Sequence, residues 1–263
     1  MRGFAAASCI ALGALLAAAP ATAGIGVRLS GGLSYISYGD FNHFTDYLNN
    51  EVLAANGASG QIDAIHWVPE FEGEVVVPLV PMIDLGIGGG IITGKSDFSF
   101  DAGGGDRFDY HHTVKAYPLT GTVYVKLPPL PFAKPYAFAG GGMYYTKASF
   151  EETVTSGGSA DGFKAELTKW GFGLHGGAGL SFALAPRVGL DIGVKGRWAK
   201  IKGLTGTATG SDGRSVGVFL AYYTDEEGAP QFGPEALSDK GAYGEGSVDL
   251  SGYAFTLTMT VAF

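Results

Sequence analysis

From residue 252 to 263 the chain alternates strictly between large apolar and small or hydroxylic side chains. Tyr253, Phe255, Leu257, Met259, Val261 and Phe263 occupy the odd positions, with Gly252, Ala254, Thr256, Thr258, Thr260 and Ala262 between them. Successive side chains of a strand point to opposite faces, so the segment presents one greasy stripe and one small, polar stripe. The same period recurs upstream over 25–37, 65–77, 82–93, 113–127, 134–146, 168–184 and 187–201. Leu29 and Leu33 stand against Ser30 and Ser34, and Trp67 and Phe71 against Glu70, Glu72 and Glu74, with Ile65 joining the outer set. In 134–146 the outer set is taken as Tyr136, Phe138 and Tyr144, against Ala137, Ala139, Gly141 and Met143. Eight such strands make the smallest usual closed membrane barrel.

The connections alternate in length. Short, proline-marked turns fall at 78–82, 128–134 and Ala185–Pro186, whereas 39–64, 95–112, 147–166 and 203–247 are long. The pattern predicts an all-β fold: an eight-stranded antiparallel transmembrane β-barrel with long extracellular loops and both termini on the short-turn side. In the first loop, Phe41, Phe44, Leu48 and Val52 recur at helical spacing. This predicts a short amphipathic helix, N-capped by Asp40 and stopped at Gly57, packed on the barrel rim. A soluble barrel of lipocalin type is the alternative, but it needs no apolar outer stripe on every strand.

Composition sharpens the membrane reading. Gly accounts for 44 of 263 residues, charged residues are only 16%, and the net charge is −8 with no basic patch, which excludes nucleic acid as a partner. Residues 1–23 combine Arg2, an apolar run from Phe4, Pro20 and Ala21-Thr22-Ala23. They are expected to be a signal peptide cleaved after Ala23, leaving 24–263 as the barrel domain. The one cysteine, Cys9, lies inside that signal, so no disulfide is expected in the exported protein.

The hairpin YPLTGTVYVKL followed by KPYAFAGGGMYY resembles the small OmpA/OmpW-like outer-membrane β-barrel family. The resemblance implies localisation in the cell outer membrane, with outer-membrane lipid, lipopolysaccharide and the barrel-assembly machinery as partners. It also makes Phe263, ending the stripe of Tyr253, Phe255, Leu257, Met259 and Val261, an assembly signal.

With the greasy stripes facing lipid, strand parity turns Arg28, Glu70, Glu72, Glu74, Asp84, His175, Asp191, Lys195 and Arg197 into the lumen. Little bulk water fits there, so these charges are expected to pair. Arg28 should neighbour Glu74, and Glu70 and Glu72 should lie level with Lys195 and Arg197. The expectation is a plug of ion pairs, with a gated ion path as the alternative. His66 is placed in the lumen with His175. His111 and His112 beside Asp109 point to opposite faces and make no shared metal set. The glycine runs lack the Lys-Ser/Thr ending of a phosphate loop. No catalytic, cofactor or metal site is therefore expected. The leading reading is a non-enzymatic protein with an envelope or structural role, its barrel anchoring the loops, and with passage of small apolar solutes as an optional addition; the second is a surface adhesin acting through its loops, with an unknown surface ligand. A lipid A-modifying enzyme comes third, because no His-Ser pair stands at suitable strand spacing.

Overall fold

The computed structural model describes residues 24–54, 61–103, 106–226 and 228–263. The expected signal segment 1–23 and the expected helix stop at Gly57 lie outside them. The strands are β1 (Gly26–Ile36), β2 (Trp67–Val80), β3 (Ile83–Gly103), β4 (Asp106–Lys126), β5 (Lys134–Ser156), β6 (Ser159–Ala185) and β7 (Val188–Trp198), followed by β8 (Lys200–Lys202), β9 (Thr205–Gly210), β10 (Ser215–Thr224), β11 (Pro230–Ala236), β12 (Ser247–Asp249) and β13 (Gly252–Ala262). A ring of eight antiparallel strands runs from β1 through β7 in chain order and closes through β13, which pairs with both β7 and β1. Both ends of the described chain lie at the short-turn end, where Gly26 pairs with Ala262.

The outer surface of the ring is a continuous apolar belt including Leu29, Phe71, Leu119, Phe172, Ile192 and Phe255, each about half exposed or more. Water would penalise such a belt by roughly 25 cal/mol for every Å² of apolar surface, whereas hydrocarbon would not. Aromatic rings finish the belt towards the loop end. Tyr35 stacks on Tyr253 at 5.3 Å with Trp67 edge-on to both, and across the barrel Tyr145 sits between Tyr117 and Trp170. Trp and Tyr favour the membrane interface because one end of the ring system is apolar and the other wet.

Two parts of the expected register are corrected. In β5 the inward set is Tyr136, Phe138 and Tyr144, and Met143 faces out. The cause is volume: glycines elsewhere on the lumenal face leave room that these rings fill. A Cβ on Gly179 would stand 2.5 Å from the Tyr136 hydroxyl, and one on Gly177 would stand 2.8 Å from Phe138. Ile65 precedes β2 and is buried in the core rather than facing out, and His66 stacks flat on Tyr35 of the aromatic girdle at 5.3 Å instead of facing the lumen.

The expected loops are also corrected. Segments 95–112 and 147–166 are mostly the continuation of the wall, as the β3–β4 and β5–β6 hairpins. Beyond Tyr117 the apolar phase of β4 inverts: Tyr117 and Leu119 face out, whereas Ala116, Val114, His112 and Tyr110 are buried inside. The last connection forms β9, β10 and β11, which extend the sheet from the outer half of β6, where Lys164 pairs with Thr209. β7 holds the inner half of β6, from Leu174 against Trp198 downwards. Above the ring, an open sheet β3-β4-β5-β6-β9-β10-β11 thus wraps a second core that includes Val114, Phe150, Leu167, Leu220 and Phe232.

Helix α1 (Gly39–Tyr47) and the wider π-type turns of Leu48–Leu53 enter this core rather than resting on a rim. Phe41 is fully buried. Asp40 is not the N-cap; its carboxylate accepts from Ser247 N–H at 2.8 Å and Ser247 Oγ at 2.6 Å, tying the helix start to β12. Tyr38 precedes the helix in the left-handed region, φ 36° and ψ 47°, a conformation that disfavours a non-glycine residue.

Candidate functional site

Two constellations fill the barrel. The first is the lumenal charge network. Glu70 projects from β2 and Lys195 and Arg197 from β7, with β1 and β13 between them. The bridge is open because the intervening lumenal positions are small: Gly32 pairs with both Glu70 and Thr256, and Ala254 pairs with Lys195. Lys195 Nζ donates to Glu70 and also to Glu72 Oε1 at 2.8 Å, while Arg197 Nη1 donates to Glu70 Oε2 at 2.8 Å. The remaining guanidinium donors reach the Leu250 carbonyl at 2.8 Å and Ser34 Oγ at 2.9 Å. Every charge in this buried cluster therefore has a partner, which is the condition for tolerating it away from water.

A second cluster lies nearer the short turns. Arg28 and Glu74 are cross-strand neighbours, as expected, but the ion pair that the Arg28 guanidinium makes is with Asp191, at 2.9 Å. The aromatic rings decide this. The guanidinium carbon sits 4.5 Å from the Tyr124 ring centroid and 5.0 Å from that of Tyr136, whose hydroxyl accepts from Nη2 at 3.1 Å. Glu74 accepts from the Tyr124 hydroxyl at 2.5 Å, and Asp191 also accepts from Thr260 Oγ1 at 3.1 Å. Asp84 stands apart at the turn end, paired with Lys126 at 2.7 Å, and His175 contacts Thr122 Oγ1 at 3.1 Å. The cavity left between these side chains is about 40 Å³, room for a few waters.

The second constellation is the apolar mouth, whose central polar residues the sequence reading missed. His112 is fully buried between Phe150, 4.3 Å away, and Phe41, 4.7 Å away. Burial pushes its pKa down to about 3, so the ring is neutral at ordinary pH. Nδ1–H donates to the Ser149 carbonyl at 3.1 Å, which leaves Nε2 to accept the Tyr38 hydroxyl at 2.6 Å. Asn42 of α1 donates to the carbonyls of Ser37 and Ile65 and accepts from Ile65 N–H at 2.9 Å. The available signal was His112 standing in phase with Val114 and Tyr110 on an apolar stripe.

His111 lies on the opposite, outward face, bonded to Asp97 at 2.8 Å, while Asp109 is held by Arg107 at 2.9 Å. Among the described residues no group of three or more His, Cys, Asp or Glu side chains is arranged to hold a metal.

No protein family matches the chain by sequence, and no curated protein does so either. Solved structures resemble it at low identity. A major outer membrane protein from Thermus thermophilus is 14% identical with a TM-score of 0.46, covering 91% of this chain and 99% of that one. OprG from Pseudomonas aeruginosa is 11% identical with a TM-score of 0.46, covering 92% and 96%. Neisserial surface protein A is 12% identical with a TM-score of 0.38, covering 91% and 97%. With so little sequence shared, it is the closed eight-stranded ring and its apolar outer belt that give this chain the architecture of the small outer-membrane β-barrels.

Proposed function

We propose that this chain is a non-enzymatic outer-membrane protein whose barrel is a sealed anchor for an extracellular β-structure. The observation that carries the reading is the double filling of the lumen. Glu70, Glu72, Lys195 and Arg197 bridge the interior of the ring, and α1 with Phe41, His112 and Phe150 occupies its mouth. A conducting pore needs a continuous wet path, and both levels are occupied by paired or close-packed side chains. The short turns then face the periplasm and the β3–β6 extensions, with β9–β11, face outside. Passage of small apolar solutes would need α1 to leave its seat.

The direct test is planar-bilayer recording of the refolded protein. The wild type should give no reproducible current steps, and deletion of 39–53 combined with Glu70→Ala and Lys195→Ala should open it. Steps from the wild type that change with Glu72→Gln or Arg197→Gln would overturn the plug.

A recognition role is the second reading, favoured by the exposed side chains of the added sheet. Val216 and Leu237 are exposed, and Tyr223 stacks on Tyr243 at 4.2 Å. Loss of cell or matrix binding after replacing 211–245 with a short linker, with the ring intact, would support it.

A further inference from the structure

Just above the girdle of Tyr117, Tyr145 and Trp170, the outward positions of β4 and β5 place Lys115 directly opposite Lys147, flanked by Thr93 and Thr168 in the same row. Like charges directly opposite on neighbouring strands repel. The acids that could relieve them lie further from the belt: Glu166 one row up, Asp97 and Glu151 two rows up. Two of these are engaged elsewhere, Asp97 by Lys95 and His111, and Glu151 by Lys164. Glu166 pairs with Lys147 at 2.9 Å, and among the described residues Lys115 has no carboxylate partner. A surface cavity of about 290 Å³ lies over the pair, with the Tyr117 ring at its lower edge, Thr113, Ser149 and Glu166 in the row above the lysines, and His111, Glu151 and Lys164 at its upper edge.

We propose that Lys115 and Lys147 seat the phosphate of an anionic lipid headgroup in the leaflet at the loop end, its acyl chains lying over Tyr117, Tyr145 and Met143. The inference rests on the membrane reading above. Snorkelling to reach water accounts for a single lysine at this height. It does not account for two facing each other while the acids sit further from the lipid. Phosphate oxygens would accept from both ammonium groups and from a neighbouring hydroxyl, giving Lys115 the anion that Glu166 already gives Lys147.

The test uses the full chain with Trp67→Phe and Trp198→Phe, leaving Trp170 beside the pair. It is inserted into vesicles mixing phosphatidic acid with phosphatidylcholine, with either one or the other lipid brominated. Quenching of Trp170 should show phosphatidic acid enriched by about fivefold for each lysine engaged. Lys115→Gln with Lys147→Gln should bring the enrichment close to one, and Lys115→Arg should retain it. Equal quenching by both lipids, or enrichment that survives the double Gln variant, overturns the inference and leaves the membrane reading standing. No quenching by either lipid overturns the membrane reading and this inference with it.

Discussion

Glu70→Gln tests the network at its centre. The Glu70 side chain is about 2% exposed and accepts charge-assisted hydrogen bonds from both Lys195 and Arg197. Removing its charge leaves two buried cations with one fewer anion, and breaking a buried pair costs ~3 to 5 kcal/mol. Glu72 still serves Lys195, and the Leu250 carbonyl and Ser34 still serve Arg197. The cost should therefore fall at the low end, about 3 kcal/mol. Lys195→Met in the same background removes the stranded ammonium. The double variant should then be less destabilised than the sum of the two single variants by about 2 kcal/mol. The assay is reversible urea unfolding in phospholipid vesicles, followed by tryptophan fluorescence. A single Glu70→Gln cost below about 0.5 kcal/mol, or strict additivity of the pair, would refute the claim that these charges act as one buried unit.

Three further expectations concern the mouth and the lumenal wall. Phe41→Ala should cost about 3 to 4 kcal/mol and open the first connection to protease, while the heat-modifiable gel shift of the barrel persists. Gly142→Val should block ring closure and abolish that gel shift, because a Cβ there would stand 2.1 Å from the Leu119 carbonyl oxygen. Glu152 faces the interior of the outer sheet opposite Tyr110, where burial pushes its pKa up to about 7. The unfolded carboxyl titrates near its ordinary value of about 4.3, so the unfolded chain loses its proton first as pH rises. Stability should therefore fall between about pH 4.5 and 7 and level off above that, a slope that Glu152→Gln removes from urea midpoints measured across the range.

The ring was legible in the sequence because lipid imposes one phase on every strand. Where the outer solvent is hydrocarbon, as at Leu29, Phe71, Ile192 and Phe255, large side chains must face out and charges in, and the two-residue period states this directly. Parity alone thus placed Glu70, Glu72, Lys195 and Arg197 on one face. It did not specify partners, since Arg28 chose Asp191 and two tyrosine rings over its register neighbour Glu74. Parity also faltered in β5, where Tyr136 and Phe138 answer to the volume left by lumenal glycines rather than to lipid.

The outer half was misread as loops for a related reason. Once a strand clears the girdle, water lies outside and the apolar side chains must turn inward, with the period unchanged and the phase reversed. On β5 the change falls between Tyr145, which faces the girdle, and Ala148 and Phe150, which are buried. A reading that follows a single phase ends the strand there, although the backbone pairing continues to Ser156. The phase reversal locates the membrane boundary from sequence, and on β4 and β5 it falls within two residues of Lys115 and Lys147. The lysine pair therefore stands where the outer environment changes from hydrocarbon to water, the level at which a phosphate group would meet it.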